Sequence, residues 1–432
     1  MDAAADHETV EQALTRRRAT VAQAWDPGDA VVLIGAGEMI SRPGRADATY
    51  RFEAHTEYLY LTDRNLPHGV LAYDPGEGWV DFVAPITTDD RLWSGAPAED
   101  PPGPTTDELE AWLSTRRNRP IVWLGSAPAA ARQDTELSQE LRFALDAVRR
   151  PKDLIELGRM RMAQRATRAA FATAVSLMHE GVSERQVQIE LEAEAFRHGA
   201  AVMAYDTIVG SGPNSAVLHF SPTGRQFEAG DLVLIDAGGE YLGYASDITR
   251  TYPVGGVLSS LQQEIYSVVR GAQEAAISAC RPGAEWRDIH RLAALRIAEG
   301  LIGHGLLRGD AESLLDDGAV WLFFPHGIGH LVGLGVRDAG GPLAERRHDP
   351  KPYPNLRIDL PLKPGMVVTV EPGVYFVPAI LGDPANRRRY RDQVDWDKVD
   401  QRLAFGGIRL EENVLITGEG HEVITADVPL LG

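Results

Sequence analysis

The sequence predicts an α+β protein of two domains. At 432 residues the chain is longer than one hydrophobic core usually organises. Helical patterns cover residues 152–181, 184–198, 259–280 and 286–303. Strand-like runs lie at 232–235, 367–370 and 408–416. Helices on the outside of strands that carry carboxylates favour an α+β arrangement over a doubly wound sheet.

A domain boundary is predicted near Pro151. Proline is not tolerated in a helix interior, and a long helical pattern begins at Lys152. Upstream of it, helical segments are interleaved with strand-like runs at 31–34, 58–61, 69–73, 79–83 and 121–124. This mixture indicates an N-terminal α/β domain. We assign it residues 1–150 and assign residues 151–432 to a C-terminal domain.

Charge and composition exclude several classes of partner. The formal net charge of −19 leaves no basic surplus for nucleic-acid phosphates and disfavours an anionic membrane surface. No apolar run approaches the ~18 residues of a membrane span. The acidic start of the chain shows no signal peptide, and the single Cys280 cannot form an internal disulfide. We expect a cytoplasmic protein that binds neither nucleic acid nor membranes.

Two carboxylates are predicted to lie inside the C-terminal domain on one hairpin. The apolar run 232–235 leads into Asp236 and a Gly-Gly turn, and the next strand-like run carries Asp247. A buried charge is costly unless an opposite charge meets it. An arginine would balance one carboxylate, whereas a divalent cation would balance two that face each other. The alternative is a pair of solvated residues at the two ends of the hairpin.

Two further motifs add a histidine pair and a glutamate. His326-Gly-Ile-Gly-His330 lies between apolar runs, and its glycines bring the backbone close to a neighbour. A single histidine in such surroundings is usually a hydrogen-bonded core residue, but this pair favours metal binding or catalysis. Glu371 ends a Val-Val-Thr-Val run just before Pro372. Taken alone, Glu371 is expected to be exposed at the strand tip.

The run at 408–416 supplies another carboxylate. Arg409 and Glu411 lie two positions apart and therefore share one face of the predicted strand. The same spacing would also suit an ordinary ion pair. Glu412 lies on the opposite face with Leu410 and is predicted to be a surface residue.

Five candidate metal ligands result from these motifs. They are Asp236, Asp247, His330, Glu371 and Glu411. This oxygen-rich set with one nitrogen suits two divalent ions per subunit, with Mn²⁺ preferred over Co²⁺ or Zn²⁺. Four negative charges balance the two ions and leave room for a bridging hydroxide. Such a centre would activate that hydroxide and polarise a carbonyl group.

The order and wording of the motifs resemble the pita-bread dinuclear metallopeptidases. The shared motifs are Leu-Ile-Asp-Ala-Gly, Ser-Asp-Ile-Thr-Arg, His-Gly-Ile-Gly-His, Val-Glu-Pro-Gly-Val-Tyr and Gly-Ile-Arg-Leu-Glu. Within that family the chain looks like the prolidases (Xaa-Pro dipeptidases), with the Xaa-Pro aminopeptidases as close kin. The resemblance is strong from about residue 150 to 425. Residues 1–150 resemble the family's creatinase-like N-terminal domain more loosely, through Tyr50-Arg51 and Leu92-Trp93-Ser94-Gly95.

The resemblance implies two catalytic residues. His219 corresponds to a histidine that assists at the scissile carbonyl. Glu371, besides binding metal, would be the general base and proton carrier. Without the resemblance, His219 would be an ordinary loop histidine near a phenylalanine.

The resemblance also implies residues that bind the substrate. His326 would lie near its C-terminal side, Arg409 is assigned to the same group, and Arg357 would clamp the free carboxylate of a dipeptide. Trp93 would enter the proline pocket of a neighbouring subunit, so a homodimer is expected. Arg337 stands where the family usually has a histidine. It can donate hydrogen bonds to the substrate carboxylate but cannot exchange a proton near neutral pH.

The predicted function is metal-dependent hydrolysis of the Xaa-Pro bond in dipeptides. The alternative is an Xaa-Pro aminopeptidase that removes one residue from longer peptides. A carboxylate clamp favours dipeptides, and an open end favours longer chains. A non-catalytic protein or a metal-free enzyme on the same fold is disfavoured because all five candidate ligands are kept. The exchange at Arg337 is expected to alter rate, pH profile or substrate preference while hydrolysis survives.

Overall fold

The computed structural model of the chain describes residues 8–45, 48–96, 98–99, 101–128, 135–346, 353 and 355–430. The acidic first seven residues therefore lie outside the described part. The chain divides into two compact units, Met1–Arg149 and Arg150–Gly432. Among the described residues, no helix combines the length and the apolar character needed to cross a membrane.

The N-terminal unit is built on a mixed β-sheet. Its helices are α1 (Val10–Ala24), α2 (Thr56–Thr62), α3 (Thr88–Ser94), α4 (Leu109–Ser114) and α5 (Glu136–Arg149). Its strands are β1 (Val31–Gly35), β2 (Val70–Asp74), β3 (Gly78–Phe82) and β4 (Ile121–Gly125). The sheet order is β3-β2-β1-β4, with β4 parallel to β1 and the other pairs antiparallel. Val31, Leu33 and Phe82 belong to its core.

Residues 58–61 form part of helix α2 and not the predicted strand. Their Tyr-Leu-Tyr-Leu pattern alternates side chains that favour strands. However, His55 caps the start of the helix, and Asp63 ends it in the left-handed conformation with a φ of 56°. Tyr58, Tyr60 and Leu61 are all buried. Packing around the helix therefore overrides the local preference.

The C-terminal unit has long helices and several small sheets. Its helices are α6 (Leu154–Ser176), α7 (Glu184–Arg197), α8 (Ser260–Ala279), α9 (Trp286–Gly303), α10 (Ala311–Asp317), α11 (Pro378–Leu381), α12 (Pro384–Arg389) and α13 (Trp396–Asp400). The strands of its first half are β5 (Val202–Met203), β6 (Ile208–Ser211), β7 (Leu232–Ala237), β8 (Gly239–Tyr241), β9 (Tyr244–Ala245) and β10 (Ile248–Pro253). Those of its second half are β11 (Gly341–Pro342), β12 (Ile358–Asp359), β13 (Val367–Val370), β14 (Gly373–Tyr375), β15 (Gly407–Arg409), β16 (Glu412–Ile416) and β17 (His421–Val423).

Two antiparallel sheets, each packed against a helix pair, form the centre of this unit. One has the strand order β10-β7-β6 and the other β13-β16-β17. Phe171 of α6 and Leu191 of α7 share a core with Ile235 of β7. Val269 of α8 shares another core with Val368 of β13. Each sheet therefore buries a face under helices, while β7 and β13 are buried along their whole length, as their continuous apolar runs indicate.

The two strands next to the candidate aspartates pair directly, but without a Gly-Gly turn. Asp236 lies near the end of β7, and Asp247 lies just before β10, its antiparallel neighbour. The chain reverses between β8 and β9 at residues 242–243, which both have positive φ values. A Cβ atom on Gly238 would lie 1.8 Å from the carbonyl oxygen of Ser246. Gly238 therefore permits close approach of two backbone segments, and it does not form the turn.

The single cysteine provides a test of how tightly the C-terminal core is closed. Cys280 is fully buried, and burial raises the pKa of its thiol to about 12. Because the thiolate is the reactive form, we expect no reaction with a thiol-reactive dye at about pH 8 in the native protein. In denaturant the dye should label one thiol per chain. Rapid labelling of the native protein would show that this core opens readily.

Candidate active site

A cavity of about 500 Å³ lies where β7, β13 and β15 end and β10 begins. It brings together the predicted site residues of the C-terminal unit, namely His219, Asp236, Asp247, His326, His330, Arg337, Arg357, Glu371, Arg409 and Glu411. Trp93 belongs to the N-terminal unit, on α3, where 81% of its surface is exposed. Its role at a neighbouring subunit stays a prediction.

Three of the candidate ligands form a tight buried group. Ligand atoms of Asp247, His330 and Glu411 all lie within 4.8 Å of one another. The ring of His330 uses Nδ1 to contact the carbonyl oxygen of Leu331 at 3.0 Å. Its Nε2 then faces Asp247 Oδ2 at 3.4 Å. A histidine held in this way, by a backbone carbonyl at one nitrogen, presents the other nitrogen as a metal ligand.

Asp236 is joined to this group through a tyrosine that the sequence patterns did not indicate. The hydroxyl of Tyr205 lies 2.6 Å from Oδ1 of Asp236 and 2.6 Å from Oδ1 of Asp247. A phenol has one proton and can donate to only one of two carboxylates. The second contact therefore needs a proton on a carboxyl group or a cation between the groups. No motif surrounds Tyr205, so only the folded chain identifies it.

Burial controls the protonation of the glutamates. It raises the pKa of Glu371 to about 7, although His330 and Arg409 act in the opposite direction. It also holds the pKa of Glu411 well above its usual range, helped by the charges of Asp247 and Glu371. Glu371 is not an exposed strand tip, since only 18% of its side chain is accessible. The site concentrates negative charge, so protons or cations are needed to balance it.

Arg409 is held by protein groups on several sides. Its Nη2 donates to Asp236 Oδ2 at 2.5 Å, its Nε donates to Thr249 Oγ1 at 3.1 Å, and its Nη1 donates to Tyr375 Oη at 3.0 Å. The arginine is buried, and burial there requires such partners. With these donors engaged, Arg409 is better placed to orient Asp236 and Tyr375 than to hold a substrate.

His326 continues this hydrogen-bonded chain into the cavity. Its Nε2 lies 2.8 Å from Tyr375 Oη, and its Nδ1 lies 2.8 Å from the carbonyl oxygen of Gly327. Burial and the charge of Arg409 lower the pKa of His326 to about 3. The neutral ring therefore donates from Nδ1 and accepts from Tyr375 at Nε2. In this arrangement His326 is oriented before any substrate arrives.

Glu412 is buried, and the prediction that it is a surface residue is wrong. Only 3% of it is exposed, and Arg250 Nη2 donates to its Oε1 at 2.8 Å. The run 408–416 is also not one strand, since Leu410 and Glu411 carry the chain from β15 to β16. The far side of this segment faces the interior, where Arg250 supplies the charge that makes burial of Glu412 acceptable.

The remaining predicted residues lie on the cavity wall. His219, Arg337 and Arg357 are exposed. Among the described residues, none forms a hydrogen bond or ion pair with the side chains of Arg337 and Arg357. Two guanidinium groups with free donors are suited to binding a carboxylate. The cavity therefore combines an anionic floor with cationic groups on its wall.

The donor set of the cavity fits divalent cations. Asp236, Asp247, Glu371 and Glu411 contribute four carboxyl groups, and the buried Arg409 donates to one of them, Asp236. Oxygen ligands with one imidazole suit hard or borderline divalent ions. The carboxylates of Asp236 and Asp247 both lie within hydrogen-bond distance of the Tyr205 hydroxyl, which has only one proton to donate. The chemistry of these residues is that of a metal centre.

Comparison with known proteins assigns the chain to a family. A model of metallopeptidase family M24 matches residues 158–418, and a model of the aminopeptidase P N-terminal domain matches residues 14–101. The first match spans more than half of the chain, which therefore belongs to metallopeptidase family M24. The predicted fold class is confirmed: a pita-bread domain follows an N-terminal domain of the aminopeptidase P type.

Relatives with curated names refine this result. Xaa-Pro aminopeptidase 1 of Streptomyces coelicolor is 33% identical, over 98% of this chain and 86% of the relative. A probable Xaa-Pro aminopeptidase of Botryotinia fuckeliana is 32% identical, over 88% and 86%. Escherichia coli aminopeptidase P, solved with the inhibitor Pro-Leu, matches with a TM-score of 0.80 at 29% identity, over 98% and 96%. These names favour the aminopeptidase alternative over the dipeptidase.

Proposed function

We propose that the chain is an Xaa-Pro aminopeptidase, which removes the first residue from peptides with proline in second position. The observation that carries this proposal is the agreement between the buried ligand group and the relatives. Asp247, His330 and Glu411 supply the metal chemistry. Relatives named for Xaa-Pro aminopeptidase activity match nearly the full chain, including its N-terminal unit.

Five residues would hold the metal in this proposal. They are Asp236, Asp247, His330, Glu371 and Glu411, the set that the sequence motifs predicted. Bound divalent cations would supply Lewis acidity and an activated water for attack on the peptide carbonyl. Mn²⁺ is our first candidate, with Co²⁺ and Zn²⁺ as alternatives.

Protein groups would orient the substrate and carry protons. Glu371, whose pKa burial raises to about 7, can accept and release a proton near neutral pH and so suits a general base. His219 lines the same cavity and would donate a hydrogen bond to the scissile carbonyl oxygen. Arg409 keeps one oxygen of Asp236 engaged at 2.5 Å and thereby fixes its orientation.

A dipeptidase is the second candidate, and a specific observation favours it. The side chains of Arg337 and Arg357 line the cavity, and within the described residues neither has a partner. Either one could bind the free carboxylate of a dipeptide as a guanidinium fork. In a longer peptide the same groups would meet a carboxylate further along the chain or an acidic side chain.

Peptide length separates the two candidates. We expect Ala-Pro-Ala to be cleaved with a kcat/KM at least about tenfold above that of Ala-Pro, after Mn²⁺ is added to chelator-stripped protein. The physical reason is that an aminopeptidase uses contacts beyond the proline, which a dipeptide does not offer. Faster cleavage of Ala-Pro would assign the chain to the dipeptidases instead.

Arginine variants serve as the control for this measurement. A charge-assisted hydrogen bond is worth about 1.5–3 kcal/mol, or roughly 10–100-fold in kcat/KM. Arg337→Gln and Arg357→Gln should therefore weaken cleavage of whichever peptide places its carboxylate there. The exposed Arg388, on α12, provides the matched variant Arg388→Gln, which should change neither rate.

A further inference from the structure

A buried glutamate outside the metal group is bonded to an unusual number of donors. Glu184 has no exposed surface, and its carboxylate accepts five hydrogen bonds. Ser211 donates from N at 2.9 Å and from Oγ at 2.8 Å, and Asn214 donates from Nδ2 at 2.8 Å. Thr223 donates from N at 3.0 Å and from Oγ1 at 2.6 Å. In the part of the chain that the structure describes, no cation bonds directly to this carboxylate, and Arg225 donates instead to Ser211 Oγ at 2.6 Å.

The donors flank one segment of the cavity wall. We call residues 212–222 the cavity loop, since Leu218, His219, Phe220 and Ser221 of this segment line the cavity. Glu184 bonds to residues just before the loop, inside its first turn and just after it. The backbone N–H of Arg185 also donates to the carbonyl oxygen of Thr223 at 2.9 Å. The start of α7 therefore fastens both ends of the loop that carries His219.

The local electrostatics suit an ionised carboxylate at this position. Burial raises the pKa of Glu184, but hydrogen bonds from Asn214, Thr223 and Ser211 outweigh it and hold the pKa below its usual value. Glu184 is also the first residue of α7, after the N-cap Ser183, where the helix dipole favours negative charge. A glutamine at this position would have one accepting oxygen and one NH2 group. The NH2 group would face hydrogen-bond donors that now bind the carboxylate.

A second anchor relates the loop to the metal side of the cavity. The N–H of Gly407 donates to Ser215 Oγ at 2.8 Å, and Gly407 is the first residue of β15. A Cβ on Gly407 would lie 2.8 Å from the carbonyl oxygen of Ser215. β15 ends at Arg409, the partner of Asp236. The loop is therefore positioned between α7 and the strand that orients one of the candidate ligands.

We propose that Glu184 is a positioning residue for catalysis, which holds the cavity loop so that His219 faces the scissile bond. This inference rests on the proposed function, because it takes the role of His219 from there. Glu184 does not touch the reacting atoms and acts through the loop alone. Removing its charge should release both ends of the loop while the metal group keeps its own contacts.

The test compares Glu184→Gln in two backgrounds. With metal-loaded protein and Ala-Pro-Ala, we expect kcat to fall by about 10²-fold, as for a misplaced catalytic group. In a His219→Ala background the same change should cause no further fall, since the loop then has no group to position. Chymotrypsin should cut after Phe220 several-fold faster in Glu184→Gln than in the parent. Bound metal per chain should not change.

Two control variants keep the outcome interpretable. Glu57→Gln removes another buried carboxylate, which binds Gly125 N–H in the N-terminal unit, and should leave kcat and cleavage at Phe220 unchanged. If Glu184→Gln does not fold, the isosteric Thr223→Val removes one donor at the end of the loop. It should then show a smaller fall of the same kind, again absent without His219.

Specific results would overturn the proposal. An unchanged kcat, or an equal fall in both backgrounds, would show that Glu184 does not act through His219. Unchanged chymotrypsin cleavage would show that it does not hold the loop. If the parent protein does not cleave Xaa-Pro peptides at all, the proposed function fails. The cleavage rate at Phe220 still decides in that case whether Glu184 fastens the loop.

Discussion

Replacing Glu371 by glutamine should lower kcat for Ala-Pro-Ala by about 10²–10⁴-fold, the range expected for loss of a general base. The Glu371 carboxylate lies at the end of β13, with Oε1 3.8 Å from His330 Nε2 and Oε2 3.8 Å from His326 Nδ1. Its pKa, which burial raises to about 7, suits proton exchange near neutral pH. Glutamine has a similar shape but cannot accept the proton. Steady-state kinetics with saturating Mn²⁺ give the measurement.

The control has to separate loss of the base from loss of a ligand. Metal content per chain and the melting temperature should be measured for Glu371→Gln beside the parent protein. Glu285→Gln, which affects a surface pair with Arg346, is the matched variant and should retain parental kcat. If Glu371→Gln kept more than about a tenth of the parental kcat with metal bound, another residue would have to carry the proton.

Metal removal should produce the second large effect, on both activity and stability. Stripping the protein with a chelator should abolish hydrolysis. Without the metal, the negative charge of the carboxyl groups in the cavity would have to be balanced by protons. Burial raises the pKa of Asp236 and raises the pKa of Glu371 to about 7. It also holds the pKa of Glu411 well above its usual range. Contacts with Asp247 raise the pKa of His330 although its burial lowers it.

These shifts determine how the stability of the stripped protein depends on pH. Each raised pKa means that the folded protein binds more protons than the unfolded chain. Each such group lowers the free energy of unfolding as pH rises above its ordinary pKa, which for Glu371 means from 4.5 towards about 7. The lowered pKa values of His290 and His326 act in the opposite sense below 6.5, so the net fall is expected above pH 6.5. The shift of Glu371 alone corresponds to about 3 kcal/mol. That amount is roughly 5–10 °C in melting temperature for a unit of this size.

Calorimetry across this pH range is the measurement. The stripped protein should melt at a lower temperature at about pH 8 than at about pH 6.5, and Mn²⁺ should restore the loss, most strongly at high pH. Glu411→Gln removes one of the four carboxylates. It should weaken both the pH dependence and the stabilisation by metal. A stripped protein that becomes more stable as pH rises would contradict the charge balance derived for this site.

The sequence predicted which residues line the candidate site because the candidate ligands stand at strand ends inside short motifs. The two aspartates follow or precede apolar runs that became β7 and β10, and Glu371 follows the run that became β13. Burial of those runs carries the two aspartates inwards, whereas Glu371 taken alone was expected to be exposed. Local apolar periodicity and capping residues located the four long helices of the C-terminal unit to within a few residues.

What sequence could not show depends on contacts between distant segments. Glu412 looked like a surface residue because nothing local indicates that Arg250 lies opposite it. Tyr205 and Glu184 belong to no motif, and their importance comes from partners brought together by folding. Helix α2 was missed for a similar reason, since burial around Tyr58 overrides a strand-like pattern. The motifs do not contain the peptide-length preference, and the names of the relatives favour the alternative of an Xaa-Pro aminopeptidase over the predicted dipeptidase.

The pairing of Asp236 with Arg409 has a consequence for how the chain reaches its folded state. Asp236 precedes its partner Arg409 by 173 residues in the chain. Burying Asp236 without Arg409 would leave an uncompensated charge in the interior. The β6–β7–β10 sheet therefore gains this compensating charge only when the segment that forms β15 packs beside it. We expect completion of this core and assembly of the candidate site to be one cooperative step that requires β15.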